Sequence, residues 1–107
     1  MDLSYIAATV GSTIILSCRS PTSTEVIQAE WDFHGVNTDR PTLLYDGFSV
    51  NPQLDEKYDV LLNSSSSICD LHIHRLQQTD AGEYHCYLKT NDRTLKFVYI
   101  VTVNGTY

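Results

Sequence analysis

The sequence predicts an all-β domain built as an antiparallel sandwich or barrel. Three observations carry this expectation. Short β-forming runs alternate apolar and polar positions, turn-forming clusters separate them, and no stretch shows a convincing helical period. The length of 107 residues fits one domain, 1–107, with a single modest core. Asn104–Tyr107 is expected to begin a linker to a following segment.

Taken in order, the elements have local reasons. Thr13–Cys18 (TIILSC) is rich in β-branched residues and puts Ile14, Leu16 and Cys18 on one side. Ser20–Ser23 (SPTS) ends it with turn chemistry, as do Gly35–Asp39 (GVNTD), Asp46-Gly47, Asn51-Pro52 and Asn63–Ser67 further on. Asp70–His74 (DLHIH) alternates, apolar inward and polar outward, and parity places Cys69 inward with Leu71 and Ile73. Leu76–Asp80 has room for one short helical turn. Phe97–Val103 (FVYIVTV) is a nearly continuous run of β-formers. A hairpin turning at Asn91-Asp92 would pair Leu88 with Leu95.

Composition narrows the function. Thirteen acidic against seven basic residues give a formal net charge of −6, a poor footprint for nucleic acid or an anionic membrane. No apolar run approaches the length of a membrane span, and the start shows no basic-then-apolar leader. Met1 before a polar start reads as an added initiator on an excised domain, so membrane attachment is expected only through a segment outside this chain. The three cysteines, Cys18, Cys69 and Cys86, match no zinc spacing. Sequons at Asn63 and Asn104 mark glycosylation sites and favour the secretory pathway. No nucleophile elbow, phosphate-cradling glycine loop or metal-binding helix occurs, so no enzyme, cofactor or metal is expected. His72 and His74 stand i, i+2 on one side of a strand without an evident third ligand. Cys69 reads as a small buried hydrophobe, the alternative being a thiol paired outside this chain.

The stretch Thr79–Cys86 (TDAGEYHC) sets Asp80, Gly82, Tyr84 and Cys86 two apart. With Trp31 lying between Cys18 and Cys86, the chain resembles an immunoglobulin sandwich, and over essentially its whole length a V-set domain. The resemblance implies a Cys18–Cys86 bridge between strands B and F beneath Trp31. It also implies a tyrosine corner at Tyr84, a close backbone approach at Gly82, and a basic partner for Asp80. Leu43–Tyr45 resembles strand C′, and the span between Trp31 and Tyr84 leaves room for a C″ strand. Asp55–Tyr58, Cys69–Ile73, Asp80–Gly82 and Val103–Gly105 resemble B7 and butyrophilin-like immune receptors. Where such domains carry an arginine after the tyrosine, this chain has Asp59-Val60; either Lys57 or Arg75 substitutes as the partner of Asp80, or the pair is absent. The last strand lacks the Phe-Gly-x-Gly motif of rearranged antigen receptors, which points to a germline-encoded receptor.

The implied function is protein recognition outside the cell, in the ectodomain of a cell-surface immune receptor or co-signalling ligand. The expected surface is the sheet made by strands G, F, C and C′. Strand parity turns Asp32 and His34 outward on C, Tyr87 and Lys89 on F, and Lys96 and Val98 on G. Tyr45 on C′ joins them, with Asn91, Asp92 and Arg93 at the rim. His34 and His85 are expected to be neighbours. The partner is a protein ligand or counter-receptor, with weak self-association into a homodimer through the same face also expected; the alternative is homophilic adhesion of the junction or nectin-like type.

Overall fold

In the computed structural model, residues 2–21, 25–63 and 67–105 are described. Met1, Thr106 and Tyr107, together with parts of the Ser20–Ser23 turn and of the Asn63–Ser67 loop, therefore lie outside the described residues. The β-forming runs become eight strands: β1 (Asp2–Thr9), β2 (Ile14–Leu16), β3 (Val26–Gly35), β4 (Thr42–Tyr45), β5 (Tyr58–Asn63), β6 (Ile68–Ile73), β7 (Gly82–Thr90) and β8 (Thr94–Asn104). Two sheets face each other, one ordered β1-β8-β7-β3-β4 and the other β2-β6-β5. All pairs are antiparallel except β1 with β8, which run parallel from Asp2↔Phe97 to Thr9↔Asn104. Leu88 pairs with Leu95 across the β7–β8 hairpin, as its turn residues predicted.

The core lies between the sheets. Leu16, Trp31, Leu71, Tyr84, Leu88 and Val101 are fully buried there, with Cys18, Cys69 and Cys86 among them. Cys18 and Cys86 form the expected disulfide, which ties β7 to the chain just after β2. Closing a loop of that length contributes roughly 4 kcal/mol in the chain-entropy account. Beside it, Trp31 Nε1 donates to the Cys69 carbonyl at 3.0 Å. With that carbonyl engaged, the Cys18 N–H goes instead to Asp70 Oδ1, also at 3.0 Å. Arg19 Nη2 neutralises the same carboxylate at 2.8 Å. Asp70 is therefore buried, where simple alternation had read it as a solvated outward residue. A carboxylate removed from water is tolerable only with such partners.

The lower end of the sandwich is held by a second polar knot. Tyr84 Oη donates to the Asp80 carbonyl at 2.6 Å, which makes the tyrosine corner. Asp80 Oδ2 accepts from the Gln77 N–H at 2.7 Å and pairs with Lys57 Nζ at 2.6 Å. Lys57 thus takes the place of the missing arginine, while Arg75 instead donates to the Glu56 carbonyl. Gly82 has φ +146°, and a Cβ there would stand 2.4 Å from the His34 carbonyl oxygen. The expected helical turn is a single 3₁₀ turn, Gln78–Asp80.

Three expectations are corrected. Tyr45, expected at the contact surface, is 6% exposed and belongs to the core. The reason is a bulge: Trp31 pairs with Tyr45 but Asp32 with Leu43, so Leu44 is the extra residue on β4. Alternation fails there and both Leu44 and Tyr45 turn inward. Val98 keeps its expected parity opposite His85 but is only 4% exposed. It sits mid-sheet between His85 and Leu3, because β1 pairs along the outer edge of β8. Finally, no C″ strand forms among the described residues. The segment after β4 carries an isolated Tyr45↔Val50 bridge and a 3₁₀ turn at Pro52–Leu54.

Candidate functional site

The inner side of the larger sheet is committed to the core, so its outer side is what the sheet can offer. Register places the outer residues in rows across the strands. One row runs Lys96, Tyr87, Glu30 over β8, β7 and β3; the next runs Leu3, Val98, His85, Asp32, Leu43 from β1 to β4; a third runs Tyr5, Ile100, Glu83, His34. Aromatic, charged and apolar groups therefore alternate over one continuous surface. Leu3, Tyr5 and Leu43 are exposed at its two edges.

Contacts order the middle of the face. Lys96 Nζ lies 5.2 Å from the centre of the Tyr87 ring, a cation–π arrangement that holds both side chains. The rings of His34 and His85 stack with centroids 4.2 Å apart, confirming them as neighbours. His85 Nε2 is 3.0 Å from Glu83 Oε1. Burial holds the Glu30 carboxyl above its ordinary range, and the charge of nearby Asp32 adds to this. Lys89 is exposed where the sheet meets the hairpin.

At the hairpin tip Asn91, Asp92 and Arg93 are exposed. Thr90 Oγ1 donates to Asp92 Oδ1 at 2.8 Å, which steadies the turn. The structure thus gathers Asp32, His34, Tyr87, Lys89 and Lys96 on one face with the tip residues at its rim, and withdraws Tyr45 and Val98. Parity reasoning missed Leu3, Tyr5 and Leu43. The first two depend on the parallel pairing of β1, which leaves no local signature, and the third on the β4 bulge. Glu30, outward by the same parity, was passed over although it flanks Tyr87.

The smaller sheet presents a different surface. His74 Nε2 is paired with Asp59 Oδ2 at 2.6 Å, and its other nitrogen lies 3.4 Å from Thr13 Oγ1. The His72 and His74 rings are 6.5 Å apart. Among the described residues no group of three or more His, Cys, Asp or Glu is placed to hold a metal ion. Cys69 is buried, and its thiol is pushed up to about 12, chiefly by desolvation. Asn63 closes β5 and Asn104 closes β8, both exposed and both away from the middle of the larger sheet. Ser64, Ser65 and Thr106, which complete their sequons, lie outside the described residues.

Among the described residues no helix is long and apolar enough to cross a membrane. Residues 3–104 match the family model of the immunoglobulin V-set domain. The comparison with curated proteins returned no match. V-set domains are commonly protein-recognition modules, generally non-catalytic and typically extracellular. With the match spanning nearly the whole chain, and the disulfide, the buried tryptophan and the tyrosine corner all in place, the chain belongs to the immunoglobulin V-set family.

Proposed function

We propose that this domain is the recognition module of an immune-type cell-surface receptor or co-signalling ligand, of the B7 and butyrophilin-like kind. It binds a protein partner through the outer face of β8, β7, β3 and β4. The observation that carries the reading is the uncovered sheet surface on which Tyr87, Lys96, Glu30 and the exposed leucines stand together. Aromatic and apolar groups supply desolvation on docking, while the charges set partner choice and approach rate. Asn63 and Asn104 stand at strand ends, away from the middle of this face.

A multimer of the chain, applied to cells that each display one ectodomain, tests the reading. Tyr87→Ala with Lys89→Glu is expected to weaken capture by about tenfold or more, the scale of an interface hot spot. Unchanged capture by that variant moves the binding surface elsewhere.

The same face also suits a second copy. Lys96, Tyr87 and Glu30 in one row read as cation, ring and acid, and a twofold axis along β7 would set each Lys96 against the Glu30 of the other copy. Homophilic adhesion is the corresponding second reading, in which beads carrying the protein aggregate on their own. A strict monomer in analytical ultracentrifugation across a wide concentration range removes it.

A further inference from the structure

One cluster on this face has more buried polar atoms than the chain itself satisfies. Asp32 and His85 are register partners on β3 and β7, and His34 follows Asp32 on the same side. Asp32 Oδ1, His34 Nε2 and His85 Nδ1 are all shut off from solvent, and none has a hydrogen-bond partner among the described residues. His85 as a whole is only 9% exposed. An unpaired buried polar group costs roughly 1–3 kcal/mol. Three on adjacent residues of one sheet face call for a ligand rather than for solvent.

The chemistry of that ligand follows from the groups around the cluster. Glu30 faces it from β3, Glu83 and Tyr87 from β7, Lys96 from β8 and Tyr5 from β1; β4 adds only the uncharged Leu43. The carboxylates outnumber the cations, and Lys96 is already held over the Tyr87 ring. Among the described residues no lysine or arginine pairs with Glu30, Asp32 or Glu83. The burial and repulsion that raise Glu30 mark the same shortage of positive charge. A carboxylate oxygen accepts, and so does one nitrogen of each neutral imidazole. With His85 Nε2 turned to Glu83, Nδ1 is left as its acceptor. No metal grouping is present among the described residues, so the fitting ligand is a side chain with several N–H donors.

Resting on the reading of this face as the binding surface, we propose that Asp32, His34 and His85 seat a cationic side chain, best an arginine, carried by the protein partner. Half-buried His34 turns aside to admit it, a rotamer change of the kind common at interfaces.

The four histidine ring signals in NMR report on the seat directly, with N-acetylarginine amide as the probe and its uncharged citrulline analogue as control. At pH 7.5 the arginine probe is expected to shift His34 and His85 saturably and to leave His72 and His74 unmoved. The effect should vanish in Asp32→Asn and shrink in His34→Gln. Equal shifts from citrulline, no shift from either probe, or an undiminished response in folded Asp32→Asn overturns the proposal. A larger response to equimolar zinc also overturns it, since the seat would then be a metal site. With a cell-displayed partner, loss of capture in Tyr87→Ala but not in Asp32→Asn keeps the face and removes the seat; retention in both removes the two together.

Discussion

Single residues in this domain are fixed by what their neighbours leave unsatisfied. Cys69 illustrates it: its carbonyl takes the Trp31 indole N–H, its N–H goes to the Cys18 carbonyl, and its thiol lies in the core. Desolvation lifts that thiol from near 9 to about 12, and desolvation likewise lifts the Tyr58 phenol from 10 to about 12. Both native groups keep a proton that the unfolded chain sheds at lower pH. Their contribution is therefore fully present below about pH 9 and is lost as pH rises toward 12. Denaturant unfolding at pH 8 and pH 10.5 is expected to show the native chain losing about 1–2 kcal/mol more than Cys69→Ala, since a group with a raised native value costs up to ~1.4 kcal/mol per pH unit. Equal losses would show the thiol to be solvated. The bridging cysteines, Trp31 and Tyr84 were legible in the sequence because their spacing is a signature in itself. Asp70 was not: a polar residue in an alternating run reads as solvated, and its burial follows from a ladder bond diverted elsewhere.

Strands and turns follow local chemistry until a neighbouring strand intervenes. The β7–β8 hairpin register was readable from its turn residues and alternation, and Gly82 from its place two before Tyr84. At Gly82 the constraint is now explicit, because the backbone is left-handed in φ and β3 passes within contact of any added carbon. Gly82→Ala is expected to cost about 3 kcal/mol or more in chemical denaturation, combining backbone strain with a clash against main chain that has no side chain to move aside. A loss below about 1 kcal/mol would mean that β3 and β7 part easily at that end. The inward turn of Tyr45 was beyond parity, since one extra residue in β4 inverts the pattern and nothing local announces it. Leu3 and Tyr5 were likewise out of reach, for a parallel edge pairing between the two ends of the chain depends on the assembled sheet.

At the scale of the molecule, the disulfide and the shared core make the two sheets one rigid support. Rigidity matters for the proposed task, because a face already in its bound geometry loses little conformational freedom on docking. The two outer surfaces differ in kind. That of β2, β6 and β5 carries Ile15 and Leu61 beside histidines, one of them tied to Asp59, while that of β8, β7, β3 and β4 joins rings, both charges and unpaired polar atoms. The most direct measurement is hydrogen–deuterium exchange of the chain with and without its partner, read strand by strand. Added protection across β3, β7 and β8, with β5 and β6 unchanged, is the predicted result; protection confined to β5 and β6 would contradict the assignment of the binding face.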